Sequence, residues 1–277
     1  MEIWEIPLIL VTGVFAGFLN TVAGGGSLLT LPVLIFLGLP PATANGTNRV
    51  AVFFQNASGI MGFRRKGVSD FGYSTLLTLP ALVGAWLGAQ IAVEMDEVIF
   101  NRVLAGIMIG VLFITLYNPT KKLQDGPEGL SLLRNLIGSA VFFFVGARGN
   151  WYTYYDIIRK IIGMFVFFFV GIYGGFIQAG AGFIIIAALT LTNGFDLVRT
   201  NAIKLFVVFF YTISALVVFI MSKNVDWYFG LTLAVGNATG AWIGSHWAVE
   251  KGDKWIRIVL VVAVLAFAIR LVWKTLG

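Results

Sequence analysis

The chain has 277 residues, of which 58% are hydrophobic, 15% aromatic and only 12% charged, with a net charge of +6. Soluble domains carry about 25% charged residues, so a water-soluble globule is excluded and a polytopic helical membrane protein remains, each span needing about 20 apolar residues. With no cysteine and a single histidine, His246, disulfides, thiolate chemistry and multi-histidine metal centres fall as well, and neither a metal nor a cofactor is expected.

The first five residues contain Glu2 and Glu5. A cleavable signal begins basic, so the first apolar run, near 6–22, is expected to stay as a span. Further apolar elements follow near 27–39, 47–63, 72–93 and 99–117. A linker over 118–160 holds the longest mostly polar stretch, from Asn118 to Asn135, and a short apolar piece, Leu136–Val145, expected at the interface or tucked into the bundle. The last elements lie near 161–177, 183–193, 203–221, 227–249 and 255–273. Because the apolar stretches are continuous and do not alternate, a barrel is disfavoured.

These elements form one unit written twice. A gapless shift of 156 positions lays Gly84-Ala85-Trp86-Leu87-Gly88 on Gly240-Ala241-Trp242-Ile243-Gly244 and Val52-Phe53-Phe54 on Val208-Phe209-Phe210. The same shift lays Asn45 on Asn201, Asp70 on Asp226 and Glu94 on Glu250. Chance matching of apolar runs would not bring Trp, Asn, Asp and Glu into one register. The reading is an all-α integral membrane protein of about ten transmembrane elements, with a first repeat over 1–117, the linker over 118–160 and a second repeat over 161–277. Five elements per repeat is odd, so the repeats should be inverted, a common transporter construction. Loop charges agree by the positive-inside rule: Arg64-Arg65-Lys66 and Lys251, Lys254 and Arg257 suit the cytoplasm, whereas Glu94, Asp96 and Glu97 suit the outside. This basic pattern belongs to an inner-membrane protein and not to a nucleic-acid surface. Arg270 and Lys274, at the end placed outside, run against it.

Three constellations stand out. Gly24-Gly25-Gly26-Ser27, with its counterpart Gln178-Ala179-Gly180-Ala181-Gly182, should break a helix. Broken backbone at membrane depth is tolerated only inside protein or beside water. A helix starting near Ser27 would aim free N–H groups inward, a ready anion site; the alternative is close packing through small residues. Next, Asn45, Asn48 and Arg49 match Asn201, Lys204 and Leu205 at the start of two long helices. Asparagine could cap those helices and the cations could snorkel. Cations nevertheless favour helix C-termini, and a bound anion would resolve that conflict. The third, Gly-Ala-Trp-Leu/Ile-Gly, reads as packing, with Gln90 and His246 beyond it as candidate pore-lining residues. Gln55 and Asn56 sit mid-helix, where a polar side chain must line an interior or bridge helices. All thirteen acidic residues fall in loops or at helix ends on this map, so the interior favours an anion.

The Gly24-Gly25-Gly26 break with Pro32 downstream, the run Ala42–Arg49, the basic loop after Gly62-Phe63 and the Gly-Ala-Trp-Leu-Gly helix resemble the TauE/SafE sulfite exporter family over nearly the whole chain. The resemblance implies a non-enzymatic transporter of sulfite, sulfoacetate or another organosulfonate. Its partners would be the lipid bilayer and a small sulfur-containing anion, with self-association into a homo-oligomer left open. Ala181 departs from the glycine triplet, which makes the two sites unequal. The expected substrate-binding set is Gly24, Gly25, Gly26, Ser27, Asn45, Asn48, Arg49, Gln178, Gly180, Gly182, Asn201 and Lys204. An uncoupled anion channel would use the same residues. An intramembrane lipid enzyme is argued against by the lack of a cysteine, of a His–carboxylate arrangement and of a metal-ligand cluster.

Overall fold

The computed structural model of the protein describes residues 4–100, 102, 103, 106, 110, 151–193 and 195–276. Among these, all regular structure is helical. The helices are α1 (Glu5–Val22), α2 (Ser27–Phe36), α3 (Pro41–Arg65), α4 (Phe71–Glu94), α5 (Trp151–Phe176), α6 (Ala181–Asn193), α7 (Leu197–Met221) and α8 (Trp227–Leu276). A left-handed Gly252, with φ 71°, breaks α8 into two limbs. The element expected near 99–117 and the piece Leu136–Val145 lie mostly or wholly outside the described residues.

Three boundaries differ from the hydropathy reading, each for a physical reason. Helix α5 begins at Trp151, inside the stretch read as linker, because its first turns are aromatic and polar and escape an apolar count. Helices α3 and α7 begin six residues earlier than read. Pro41 starts α3 with a φ already suited to a helix. Asp196 caps α7, its carboxylate accepting the Arg199 backbone N–H at 2.7 Å. The polar runs around Asn45 and Asn201 are therefore helical turns and not caps.

The short helices α2 and α6, of 10 and 13 residues, rise only about 15 and 20 Å at 1.5 Å per residue. Neither crosses a hydrocarbon core of about 30 Å. Each follows a tight break: Gly24 at φ 89° precedes α2, and Gln178 at φ 64° and Gly180 at φ 74° precede α6.

Packing is reciprocal between the chain's halves. Helix α1 lies along α8 and α4 along α5; α3 packs on α8 and α7 on α4; α3 and α7 meet each other. The duplicated glycine motif makes a close backbone contact in each half. A Cβ on Gly88 would lie 2.8 Å from the Ile172 carbonyl carbon, and one on Gly240 would lie 2.8 Å from the Phe18 nitrogen. Trp86 and Ile243 point outward, exposed.

The bundle's two ends are tied by different polar contacts. At one end Lys66 Nζ meets Glu250 Oε1 at 2.8 Å, and Arg199 Nε donates to Asp70 Oδ2 at 2.9 Å. At the other, Thr43 Oγ1 donates to Asn224 Oδ1 at 3.3 Å, and the Asp226 N–H donates to Thr47 Oγ1 at 2.9 Å. Helix α3 starts where α7 finishes, so the two run antiparallel. Apolar side chains are exposed at helical spacing: Leu8, Val11 and Phe15 on α1, and Ile157, Ile161, Phe165 and Phe169 on α5. Such stripes suit lipid, and α1, α4 and α7 are each long and apolar enough to cross a membrane.

Candidate functional site

The last turns of α1 and α5 end inside the bundle, and their carbonyls have no partner within their own helix. Residues of the opposite half take them up. Asn45 Nδ2 donates to the last carbonyl of α5, Phe176 O, at 2.6 Å. Arg49 then reaches the two before it, Gly174 O at 2.8 Å and Gly175 O at 2.6 Å. The other half repeats the arrangement. Asn201 Nδ2 donates to the last carbonyl of α1, Val22 O, at 2.9 Å. Lys204 Nζ takes the two before it, Asn20 O at 2.8 Å and Thr21 O at 3.0 Å. The conflict raised by cations near helix N-termini is thus resolved by other helices' C-termini, whose dipoles favour positive charge.

Both cations are fully buried, Arg49 at 0% and Lys204 at 1% exposure. Arg49 also bonds Asn45 Oδ1 and Gln178 Oε1, each at 3.4 Å, and lies over the Phe219 ring. Lys204 donates its third proton to Asn201 Oδ1 at 2.6 Å. No described carboxylate hydrogen-bonds either one. Among the described residues, the hydrogen bonds from both charges go to neutral carbonyl and amide dipoles.

The glycine breaks meet. A Cβ on Gly24 would lie 2.5 Å from the Gly182 carbonyl carbon and 2.6 Å from its Cα, so the backbones touch at the crossing. Beside this contact Asn20, Asn56, Gln178, Ala181, Gly182, Lys204 and Tyr211 line a small cavity of about 10 Å³, room for about one water. The N-terminus of α6 opens onto it. Gln178 holds a left-handed backbone that non-glycine residues adopt only at a cost of about 1–3 kcal/mol, a feature that clusters at functional sites.

A family model described as sulfite exporter TauE/SafE matches residues 9–271. The chain belongs to the TauE/SafE sulfite exporter family. It is 26% identical to a probable membrane transporter protein, ORF9, of Sinorhizobium sp., covering 96% of this chain and 92% of that one. It is 25% identical to a probable membrane transporter protein of Haemophilus influenzae, over 97% and 94% of the two chains. The same identity relates it to the probable membrane transporter protein YfcA of Escherichia coli, over 98% and 91%. No solved structure gives a significant match. The family, the relatives and the lipid-facing helices together make the protein a multi-pass membrane transporter.

This TauE/SafE protein gathers some of the candidate residues at the cavity and places others elsewhere. Gln178, Gly182 and Lys204 border it. Asn45, Arg49 and Asn201 hold the helix ends described above. Asn48 clamps α2 to α3, accepting from Thr30 Oγ1 at 2.7 Å and donating to Ser27 Oγ at 3.4 Å. Gly24, Gly25 and Gly26 form the turn into α2, and Gly180 the turn into α6. Gln55 bridges helices, accepting from Asn237 Nδ2 at 3.1 Å.

Two candidate pore-lining residues lie away from the cavity. Gln90 is exposed, on the outward stripe of α4 with Val83, Trp86 and Leu87. His246 turns its Nδ1 to the Trp242 carbonyl at 2.9 Å and packs on that indole. Arg199 also sits apart, engaged by Asp70 and lying over Phe195. Among the cavity residues outside the expected set is Tyr211. The 156-position shift lays it on Gln55 and lays Thr212 on Asn56, so the signal was available in the repeat.

Proposed function

We propose that the protein exports a small sulfur-containing anion, such as sulfite, sulfoacetate or another organosulfonate, across the inner membrane by alternating access between two inverted repeats. The observation that carries this reading is the pair Arg49 and Lys204: two buried cations whose hydrogen-bond partners, among the described residues, are all carbonyl and amide dipoles. A buried charge held by dipoles leaves a positive potential in a medium of low dielectric, and that potential selects an anion. The glycine turns, Ser27, the asparagines and Gln178 supply polar groups around it. Closure around about one water's volume supports a carrier over an open channel, since an oxyanion enters only after helices move. The antiparallel α3 and α7, and the grouping of Arg64, Arg65, Lys66 and Lys251 with the Lys66–Glu250 end, support inverted repeats and a cytoplasmic assignment for that end. Titrating sulfite, sulfate, thiosulfate and small sulfonates onto purified protein tests the reading. Saturable binding of a sulfur anion is expected. Binding of none of them, or flux in vesicles that never saturates and follows voltage linearly, would overturn it.

A further inference from the structure

Tyr211 and Asn56 present buried polar atoms that no protein group satisfies, and both line the cavity beside Lys204. Each residue is 0% exposed. The Tyr211 hydroxyl has Gln178 as a side-chain hydrogen-bonding neighbour and Arg49 as a charged one, and its own proton has no acceptor within hydrogen-bond distance. The unpartnered atom of Asn56 is Oδ1, an acceptor. Its amide cannot be turned round, because Nδ2 donates to the Val52 carbonyl at 2.8 Å and a carbonyl only accepts. Leaving such groups unpaired costs free energy, so a cavity that keeps both, with room for about one water as it stands, has a donor and an acceptor to offer a ligand once the helices part.

Resting on the reading of this cavity as the transport site, we infer that its anion is singly charged and carries a proton that it donates. Lys204 matches one negative charge. The Tyr211 hydroxyl donates to a ligand oxygen, and Asn56 Oδ1 accepts from the ligand's own proton. Hydrogensulfite meets all three demands. Sulfate brings a second charge, whereas Lys204 is the one cation among the described residues that line the cavity, and methanesulfonate has no proton for Asn56. The titratable groups facing the cavity are Lys204 and Tyr211, both on α7, with Arg49 of α3 as Tyr211's charged neighbour. The faces of α1 and α6 contribute Asn20, Ala181 and Gly182, which do not titrate.

The experiment is calorimetric titration of the purified full-length protein in one mildly acidic buffer with sulfite, methanesulfonate and sulfate. There the sulfite is mainly hydrogensulfite, and the protein is in the same state for all three. Wild-type protein should bind sulfite at least about tenfold more tightly than either other anion, the worth of one charge-assisted hydrogen bond. Asn56→Leu should lose the preference over methanesulfonate while keeping its methanesulfonate affinity. Tyr211→Phe should weaken sulfite and methanesulfonate binding about tenfold in a protein that still unfolds cooperatively, since it removes the hydroxyl and keeps the buried ring. Equal wild-type affinity for sulfite and either competitor, or an undiminished preference in Asn56→Leu, would overturn the inference while leaving anion transport standing. Binding of none of the three would overturn the transport reading and this inference with it.

Discussion

Phe53 and Phe209 stack ring on ring, their centroids 4.9 Å apart and their planes 24° from parallel. They are equivalent positions under the 156-residue shift. In a two-fold arrangement a residue beside the axis touches its own counterpart, and the flanking pairs are alike: Phe53–Phe54 and Phe209–Phe210 both meet edge to face at 5.2 Å. With α3 and α7 antiparallel, the proposed inverted repeat would place such an axis across the bundle.

Topology follows from the two polar ends. Single cysteines can be placed freely, because the chain has none. Cysteines at 64–67 and at 251–254 should be labelled from the same side, and those at 94–97 and 223–226 from the other. Opposite labelling of 64–67 and 251–254 would rule out the inverted arrangement.

Gly24 should tolerate no side chain. Gly24→Ala imposes a left-handed alanine, worth about 1–3 kcal/mol, and drives its Cβ against Gly182. Gly67 is the control: it has φ 78° but nothing within 4 Å of its would-be Cβ. Thermal unfolding in detergent should show Gly24→Ala clearly less stable than Gly67→Ala. Equal losses would mean that the crossing of the two breaks is not held closely.

Arg49 should not be replaceable by lysine. Its fork spans two carbonyls and two side-chain amides at once, which one ammonium cannot do. Arg49→Lys should therefore lose about 1–3 kcal/mol of stability through a carbonyl left unpaired, read as a lower unfolding temperature. Wild-type stability would show that the fork is not what secures the end of α5.

Much of this was legible in the residues themselves. The 156-position register, the helix breaks at the glycines and the start of α2 at Ser27 follow from composition and backbone chemistry, which act locally. The partners of Arg49 and Lys204 were not legible, because a cation's type does not say which distant helix end it will meet. That depends on how the halves cross. Asn48 and Lys204 illustrate the point. They are equivalent in sequence, yet Asn48 bonds α2 of its own half while Lys204 bonds α1 of the other. Gln90 is exposed beside Val83, Trp86 and Leu87, and spacing alone does not distinguish a polar residue at the edge of such a stripe from one facing a pore.

The central claim, that Lys204 and the cavity beside it hold the transported anion, is tested most directly by sulfite binding to purified Lys204→Asn, with folding checked by thermal unfolding. Removing one partner of a buried charge pair costs about 3–5 kcal/mol, and 1.4 kcal/mol is about tenfold in affinity. The account predicts at least about a hundredfold weaker binding by a protein that still unfolds cooperatively, with Lys204→Arg weakened less. Wild-type affinity in folded Lys204→Asn would contradict it and remove Lys204 from the site.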